Sequence, residues 1–341
     1  MNKEKVLLNS LVTLNFSKSF LYMSEYKMLY HLNRMMEPFV KAPKKEDDPA
    51  LIKIMREKVL DLYLQDANNV LNGYYPKDLL LKFDPKNHLL RLPKLLMDSL
   101  SISRRRKMGK TKDLDSEIEA PDYIKRNYHF QTDGYFSDHS ASLYEHQVEI
   151  LFNGTAQAMR RMLIGHLKKR FPEKKFFKVL EVAAGTGAMS VDFVKSFDFN
   201  ELVITDISEQ YLNLAKEKIT DSRVSFNVAK AEELPFKDGE FDLVYSVFLF
   251  HEIPRQVRDE VFRESFRVLK SGGVVALCDS IQMDDDSRLN EVLDNFPRDY
   301  HEPFYRDYTK WDVSEALTKN NFKDISSEFH LLSKYFSAVK V

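Results

Sequence analysis

The side chains best suited to chemistry surround a glycine turn near the middle of the chain. Residues 179–187 read Val-Leu-Glu-Val-Ala-Ala-Gly-Thr-Gly, a short apolar strand that contains an acid, Glu181, and runs into the turn. Gly185 and Gly187 allow positive φ and, because they lack a Cβ, close approach of a ligand to the backbone. A second acid, Asp206, ends the next apolar run, where a carboxylate can accept hydrogen bonds from both hydroxyls of a ribose. This arrangement predicts a site for a nucleotide cofactor.

The spacing within the turn bears on which cofactor it would bind. A dinucleotide-binding turn requires glycine at its first, third and sixth positions, but the sixth residue counted from Gly185 is Ser190. Glu181, the acid inside the strand, has no role in the dinucleotide pattern either. The turn therefore indicates a nucleotide cofactor other than a dinucleotide.

At this point the chain resembles the class I S-adenosylmethionine-dependent methyltransferases, over roughly residues 141–341. That family has an acid followed by Gly-x-Gly-x-Gly, and the corresponding positions here are Glu181, Ala183, Gly185 and Gly187. The resemblance implies that Glu181 holds the methionine amino group directly or through water. It also implies that the turn packs against the methionyl chain and that Asp206 binds the ribose.

Residues 229–236 resemble the family's Asp-Ala-Glu-x-Leu-Pro-Phe segment, which binds adenine, with Lys230 where aspartate is usual. Adenine recognition would then depend on the backbone of Ala231 and on apolar walls. The resemblance implies S-adenosyl-L-methionine as cofactor and the following cofactor-binding residues: Glu181, Ala183, Ala184, Gly185, Thr186, Gly187, Asp206, Ile207, Ala231, Glu232, Val247 and Phe248.

The order of the later segments predicts an α/β fold, the Rossmann-like seven-stranded sheet of class I methyltransferases. Strands are expected at 241–247 and 274–279, separated by a helix that ends at Gly272-Gly273. A helix over 311–321 and an antiparallel hairpin over 322–329 and 332–341 would close the sheet.

Residues 1–140 have apolar positions at helical spacing and predict an N-terminal all-α domain, followed by a methyltransferase domain over 141–341. Helices are expected at 51–72, which starts at Asp48-Pro49 and stops at Gly73, and at 89–100. Residues 101–121 are charged and favour a solvated loop over a phosphate-binding patch. A helix over 140–169 should be interrupted at Gly154.

Catalytic candidates follow from position along the predicted sheet. His251 comes after the fourth strand, at the edge where ligands bind in open α/β folds, so it is a candidate base; the alternative is that it braces the loop. The aromatic and polar segment 127–135 is either a binding loop or an interdomain joint. By analogy with the family, the acceptor-side candidates are His129, Gln131, Tyr135, Tyr144, Gln147 and Tyr305.

Composition reduces the number of functional classes to which the protein could belong. The 51 Lys and Arg residues nearly balance 52 acids, so there is no overall positive charge to bind nucleic acid. No metal-ligand motif such as His-Glu-x-x-His or Cys-x-x-Cys occurs, no signal peptide or membrane span is evident, and a cytoplasmic location is expected. The single cysteine, Cys278, is predicted to be a buried thiol.

Three functions remain open at this point. A methyltransferase that acts on a small molecule is favoured. A protein or RNA methyltransferase has support only from the basic run 104–112 and from Arg160 with Arg161. A degenerate fold that acts as a binding module is suggested by Ala183 and Lys230.

Overall fold

The structure is a computed structural model that describes residues 3–36, 48–83, 85–108, 114, 120–131 and 133–341. Its N-terminal region is helical, as the apolar spacing predicts. The helices here are α1 (Lys3–Met36), α2 (Pro49–Leu71), α3 (Asp78–Leu81) and α4 (Pro85–Met108). The predicted start of α2 is confirmed, because the Asp48 carboxylate accepts a hydrogen bond from the Ala50 amide at 2.9 Å and Pro49 occupies the first turn.

Helix α4 corrects the expectation of a solvated loop over 101–121. It continues to Met108, so the basic run that begins at Arg104 is helical at its start. Arginine, lysine and methionine are good helix formers, and Ile102 is partly buried, so the helical pattern persists beyond residue 100. Within the rest of the predicted loop, residues 109–113 and 115–119 lie outside the described residues.

The other helices surround a sheet. The predicted interruption at Gly154 is confirmed, because this glycine has a φ of +79° and separates α5 from α6. Short 3-10 turns occur at Tyr128–Phe130, Phe250–Glu252 and Ser287–Leu289. The helices are α5 (Asp138–Leu151), α6 (Ala156–Arg170), α7 (Ala188–Ser196), α8 (Glu209–Lys218), α9 (Arg255–Val268), α10 (Asn290–Tyr300), α11 (Tyr305–Tyr308) and α12 (Val313–Lys319).

The sheet has seven strands in the order β3-β2-β1-β4-β5-β7-β6, and β7 is the strand that runs antiparallel to its neighbours. The predicted sheet and its closing hairpin are thus confirmed. The carboxyl ends of β1, β2 and β4 meet at one edge, where open α/β sheets bind ligands. The strands are β1 (Lys178–Val182), β2 (Glu201–Asp206), β3 (Val224–Val228), β4 (Phe241–Val247), β5 (Leu269–Ser280), β6 (Phe322–His330) and β7 (Ser333–Lys340).

The expected glycine stop of the helix before β5 is wrong. Helix α9 ends at Val268, and β5 already begins at Leu269 and runs through both glycines. Gly272 has a φ of +75°, and the pairing with β4 shifts between Phe241, opposite Leu269, and Leu243, opposite Val274. The glycine pair therefore forms an irregularity inside a strand, which positive φ makes possible.

One apolar cluster extends across the predicted domain boundary at residue 140. It contains Leu62 and Ala67 of α2, Met159 and Leu163 of α6, and strand residues such as Val179. Beside it, Arg161 donates to Asp66 at 2.7 and 3.0 Å, and both side chains are buried. The N-terminal helices thus pack on α6, and the division at 140 stays a prediction. Within the described ranges no helix has the length and apolar character needed to cross a membrane.

Candidate functional site

A cavity of about 930 Å³ lies at the carboxyl ends of β1, β2 and β4. Of the predicted cofactor residues, Gly187 and Glu232 lie outside the cavity wall. Those that line it are Glu181, Ala183, Ala184, Gly185, Thr186, Asp206, Ile207, Ala231, Val247 and Phe248.

The glycine turn after β1 has a left-handed backbone at three alternating positions. Ala183, Gly185 and Gly187 have φ values of +55°, +58° and +74°. A Cβ on Gly187 would lie 2.9 Å from the Cβ of Ala215 in α8, whereas a Cβ on Gly185 would be 3.9 Å from its nearest neighbour, Tyr211. Gly187 therefore permits close packing of α7 and α8, while Gly185 borders the cavity. The alanine that departs from the family pattern adopts the positive φ that glycine favours.

The Glu181 carboxylate is buried and is oriented by two hydroxyls. Ser190 donates to it, and Tyr245 donates at 2.7 Å. Burial raises the pKa of Glu181 to about 7, although these two hydrogen bonds act in the opposite direction. Ser190 stands where a dinucleotide-binding turn has glycine, and its hydroxyl holds the acid that such turns lack.

Asp206, at the end of β2, is held by backbone amides. Gly185 donates to one carboxylate oxygen at 2.7 Å and Ser208 donates to the other at 2.8 Å. Burial raises the pKa of Asp206 to about 6, and these amide hydrogen bonds limit the rise. Because each oxygen has a second lone pair, the carboxylate can still accept hydrogen bonds from a ligand in the cavity.

The segment that resembles the adenine-binding region forms the next part of the wall. Lys230 and Ala231 line the cavity. The Lys230 ammonium lies 3.2 Å from the carboxylate of Glu233 and its side chain is 44% exposed, so the charge lies towards solvent. Glu232 accepts a hydrogen bond from the hydroxyl of Tyr123 at 2.6 Å, which fixes the segment before α5 over this side of the cavity.

Residues before β1 cover the cavity. Tyr123, Ile124, Tyr135 and Tyr144 line it together with the strand ends. Tyr135 donates to Glu252 at 2.7 Å, and Ser208 donates to the carbonyl of Tyr135, so this cover is bonded to both halves of the sheet edge. Tyrosine rings with one bonded hydroxyl suit a wall that must be apolar towards a ligand.

Two of the acceptor-side candidates lie elsewhere. Gln131 and Gln147 line a separate pocket of about 180 Å³, together with Asp98. Gln147 donates to Asp98 on α4, because this face of α5 is turned towards α4 and away from the cavity. The spacing of three between Tyr144 and Gln147 placed them on one face in the sequence, but only Tyr144 reaches the cavity wall.

The remaining candidates meet in a buried histidine–carboxylate cluster, which we define as His129, His251, Glu252, Asp279 and Glu302. The Nδ1 atom of His251 lies 2.7 Å from Asp279, and its Nε2 atom lies 3.9 Å from Glu252. The Nε2 atom of His129 lies 3.1 Å from Glu302 and 3.7 Å from the same Glu252 oxygen. Glu252 connects this cluster to the cavity, because it also lines the cavity wall.

Burial and charge act against each other in this cluster. Burial lowers the pKa of His251, but the carboxylates of Asp279, Glu252 and Glu302 together outweigh it and raise the value to about 9. For His129 burial again lowers the pKa, and the Glu302 and Glu252 carboxylates together make the net shift upward. Burial raises the pKa of Glu302 to about 7. Tyr305, the last candidate, packs edge-on against His251 at 5.8 Å between ring centroids and shares a hydrogen bond with Ser280 at 2.7 Å.

Arg160 was missed as a site residue by reasoning from the sequence. It lies on α6, is 4% exposed and lines the cavity. Its guanidinium lies 5.7 Å from the ring centroid of Phe248, and its Nη1 atom has no hydrogen-bond partner among the described residues. Its neighbour Arg161 is paired with Asp66, so these two arginines do not form an exposed basic face. The signal that could have identified Arg160 is its charge among the buried positions of α6.

Comparison with known proteins identifies the class to which this site belongs. Residues 179–273 match the family described as "Methyltransferase domain". These residues begin at the strand that carries Glu181 and end at the glycine pair of β5. Residues 179–273 are thus similar to a methyltransferase domain, and the resemblance seen in the sequence is confirmed over these residues.

Individual relatives match this domain and not the whole chain. The ubiquinone/menaquinone biosynthesis C-methyltransferase UbiE of Idiomarina loihiensis is 32% identical over 126 residues, which are 36% of this chain and 49% of that protein. UbiE of Pseudomonas paraeruginosa is 38% identical over 101 residues, 28% of this chain and 39% of that protein. The chain thus spans half or less of the curated relatives it matches.

Similarity to a solved structure is also limited to part of each chain. Phosphoethanolamine N-methyltransferase 2 of Haemonchus contortus, in complex with S-adenosyl-L-methionine, superposes with a TM-score of 0.40 and 20% identity. The superposition covers 52% of each chain.

Proposed function

We propose that this protein binds S-adenosyl-L-methionine in the cavity and transfers its methyl group to a small-molecule acceptor. The observation that carries the proposal is the pairing of two buried carboxylates, Glu181 and Asp206, on either side of a glycine turn that lines a cavity of about 930 Å³. The match of residues 179–273 to a methyltransferase domain supports it.

The side chains of the cavity fit the charges of this cofactor. The methionyl part carries an ammonium group and a carboxylate, and the wall offers a carboxylate at Glu181 and a guanidinium nitrogen at Arg160 that lacks a hydrogen-bond partner in the described structure. Glu181 would hold the ammonium group, Arg160 the carboxylate and Asp206 the ribose hydroxyls. The adenine would lie near Ala231, between apolar walls that include Ile207.

The cofactor supplies a methyl group already activated by its sulfonium. The residues of this chain then have to hold the acceptor in line and exclude water, which is the main requirement of such a reaction. Tyr135 and Tyr144 cover the cavity. Their apolar faces hold the acceptor in line and exclude water. For His251 the geometry supports a positioning role, because its Nδ1 is bonded to Asp279 and its Nε2 is directed at Glu252, the cluster member that lines the cavity.

A small-molecule acceptor is favoured by the aromatic side chains of the cavity wall. Tyr123, Tyr135 and Tyr144 line the same cavity as the donor-side residues, which suits a planar or apolar acceptor. The relatives named as ubiquinone/menaquinone C-methyltransferases act on compounds of that kind by their names, which supports the same class here.

Calorimetry with S-adenosylmethionine tests the donor site. The wild-type protein should bind, and Asp206→Ala should lose about 2 kcal/mol or more of binding free energy, because a charge-assisted pair of hydrogen bonds is removed. Asp198→Ala, which removes a fully exposed acid just before β2, is the matched control and should bind as the wild type does.

Three results would contradict the proposal at different levels. If S-adenosylmethionine does not bind at millimolar concentration, the methyltransferase function is excluded. The remaining function is then a binding module for another ligand. An unchanged dissociation constant for Asp206→Ala would show that the ribose lies elsewhere. The acceptor is then sought by supplying a labelled methyl donor to cells with and without the protein and comparing labelled metabolites. Label appearing in protein or RNA instead would overturn the small-molecule assignment.

A further inference from the structure

The buried histidine–carboxylate cluster contains three ligand-type atoms that converge on one point. They are the Nε2 atom of His129 and one carboxylate oxygen each from Glu252 and Glu302, all within 4.8 Å of one another. Two of the three separations are 3.1 Å, between His129 and Glu302, and 3.7 Å, between His129 and Glu252. Two ligand atoms that each lie about 2.1 Å from one ion are about 3.0 to 3.4 Å apart at octahedral or tetrahedral angles. The two separations from His129 are within a few tenths of an ångström of these values.

Glu302 supplies an independent observation. It is 1% exposed, and neither of its carboxylate oxygens has a hydrogen-bond partner in the described part of the chain. The Nδ1 atom of His129 is likewise without one among these residues. Buried carboxylates are normally hydrogen-bonded, paired or bound to a metal ion, and the imidazole 3.1 Å away does not meet hydrogen-bond geometry.

The charge of the cluster also requires compensation. Glu252, Asp279 and Glu302 supply three carboxylates, whereas His129 and His251 supply two imidazoles. With all carboxylates ionised, the cluster keeps net negative charge even if both imidazoles are protonated. With both imidazoles neutral, as metal ligation requires, the charge of the cluster is −3, and a bound cation of charge two would reduce it to −1.

We propose that His129, Glu252 and Glu302 bind a divalent first-row transition-metal ion beside the methyl-donor cavity. His251 is placed to complete the ligand set, because its Nε2 atom lies 3.9 Å from the ligating oxygen of Glu252. The contact of its Nδ1 with Asp279 is the outer contact that metal-binding histidines commonly make. Tyr135, which donates to Glu252 at 2.7 Å, is a second outer contact.

The donor set indicates which ions fit. One or two imidazole nitrogens with two carboxylate oxygens suit Mn²⁺, Fe²⁺ or Zn²⁺, whereas Mg²⁺ and Ca²⁺ prefer sites made only of oxygen. Mn²⁺ and Zn²⁺ are the practical probes, because Mn²⁺ is paramagnetic and both are stable in air.

The ion also narrows the acceptor class, a step that rests on the proposed methyltransferase function. Glu252 is the proposed ligand that lines the cavity, so the side of the ion open to a small molecule would face the methyl donor. An ion there would bind an oxygen of the acceptor and fix its orientation. The acceptor class is therefore a compound with an oxygen donor, such as a hydroxyl, phenol or enol group.

Metal binding can be measured on the full chain without cofactor or turnover. The protein is stripped with a chelator, and Mn²⁺ and Zn²⁺ are titrated by calorimetry while electron paramagnetic resonance follows Mn²⁺. Pulsed measurements should detect nitrogen coupling from imidazole. Glu302→Gln should weaken binding by more than about tenfold. The matched control is Glu328→Gln, which removes a glutamate 2.8 Å from another histidine, His166, and should leave the affinity unchanged.

Calorimetry with S-adenosylmethionine on the same samples separates the two proposals. A Glu302→Gln protein that binds the donor but has lost Mn²⁺ supports the metal site and shows that the fold is intact. If that variant does not fold, His129→Asn replaces it, and loss of the nitrogen coupling is the readout. Wild-type protein that binds the donor but neither ion at millimolar concentration, or Glu302→Gln that binds Mn²⁺ as the wild type does, overturns the metal site and leaves the donor site standing.

Discussion

The two halves of the cavity differ in how the chain assembles them. The donor half consists of the turn after β1 and the end of β2, so Glu181 and Asp206 are supplied by neighbouring strands of one continuous segment. In the acceptor half, Tyr135 bonds with Glu252, 117 residues further along the chain. A site made by one turn leaves a local pattern in the sequence, whereas a site made by distant loops does not.

The largest difference should come from the backbone of the donor half. Gly187→Ala places a Cβ 2.9 Å from Ala215 and adds a side chain at a φ of +74°, so we expect a loss of about 2 to 4 kcal/mol in the free energy of unfolding. Gly73→Ala is the control, because Gly73 has a φ of +72° with open space around it and should lose about 1 kcal/mol. Denaturant titration measures both. Equal losses would mean that packing of α7 against α8 does not require this glycine.

The second largest effect is expected at Arg160, the residue of α6 that joins the two halves of the cavity. Arg160→Met keeps the apolar stem and removes the guanidinium, so donor affinity should fall by about 1 to 3 kcal/mol while the fold is retained. Arg170→Met, on the exposed end of the same helix beside Asp324, is the control and should bind the donor normally. Calorimetry with S-adenosylmethionine measures the donor affinity of both variants. If Arg160→Met binds as tightly as the wild type, the carboxylate of the donor is held by another group.

This comparison explains what the sequence could and could not predict. The seven-stranded sheet, its closing hairpin and the residues around Glu181 followed from apolar runs, glycines and acids at family spacing. Arg160 and Glu302 were missed because burial makes them functional candidates, and burial of a single charged residue depends on packing between distant elements. Gln131 and Gln147 were grouped with the cavity by analogy with the family, but Gln147 lies on the face of α5 that is turned to α4, and Gln131 lines the same separate pocket.

The donor half should also respond to pH through Glu181. Its pKa is about 7, and only the ionised carboxylate attracts an ammonium group, so donor affinity should rise as pH increases through 7 and fall below it. The expected change is about tenfold in dissociation constant per pH unit below that value. Because the donor's own amino group titrates at about 8, the range from about pH 5.5 to 7.5 is compared.

Glu181→Gln isolates this effect. The variant cannot ionise at that position, so its dependence should be flat near pH 7 and should retain a change around pH 6, where the Asp206 carboxyl titrates. For stability the sign is opposite. A carboxyl whose pKa is raised on folding stabilises the protein at low pH, and this contribution is lost as pH rises through the folded value of about 7. Parallel binding profiles for variant and wild type would contradict the assignment of the ammonium group to Glu181.

The smallest expected effect tests whether the two halves are separable. Tyr135→Phe keeps the ring over the cavity but removes the hydroxyl that donates to Glu252 at 2.7 Å. We expect stability to fall by about 1 to 2 kcal/mol, because a buried hydrogen bond to a carboxylate is lost, while donor affinity changes by less than about 0.5 kcal/mol. Tyr26→Phe, at a half-exposed hydroxyl on α1, is the control for stability. A large loss of donor affinity in Tyr135→Phe would mean that the cover and the glycine turn act as one unit. The contrast between a locally encoded donor half and an assembled acceptor half would then describe their origin in the chain but not their function.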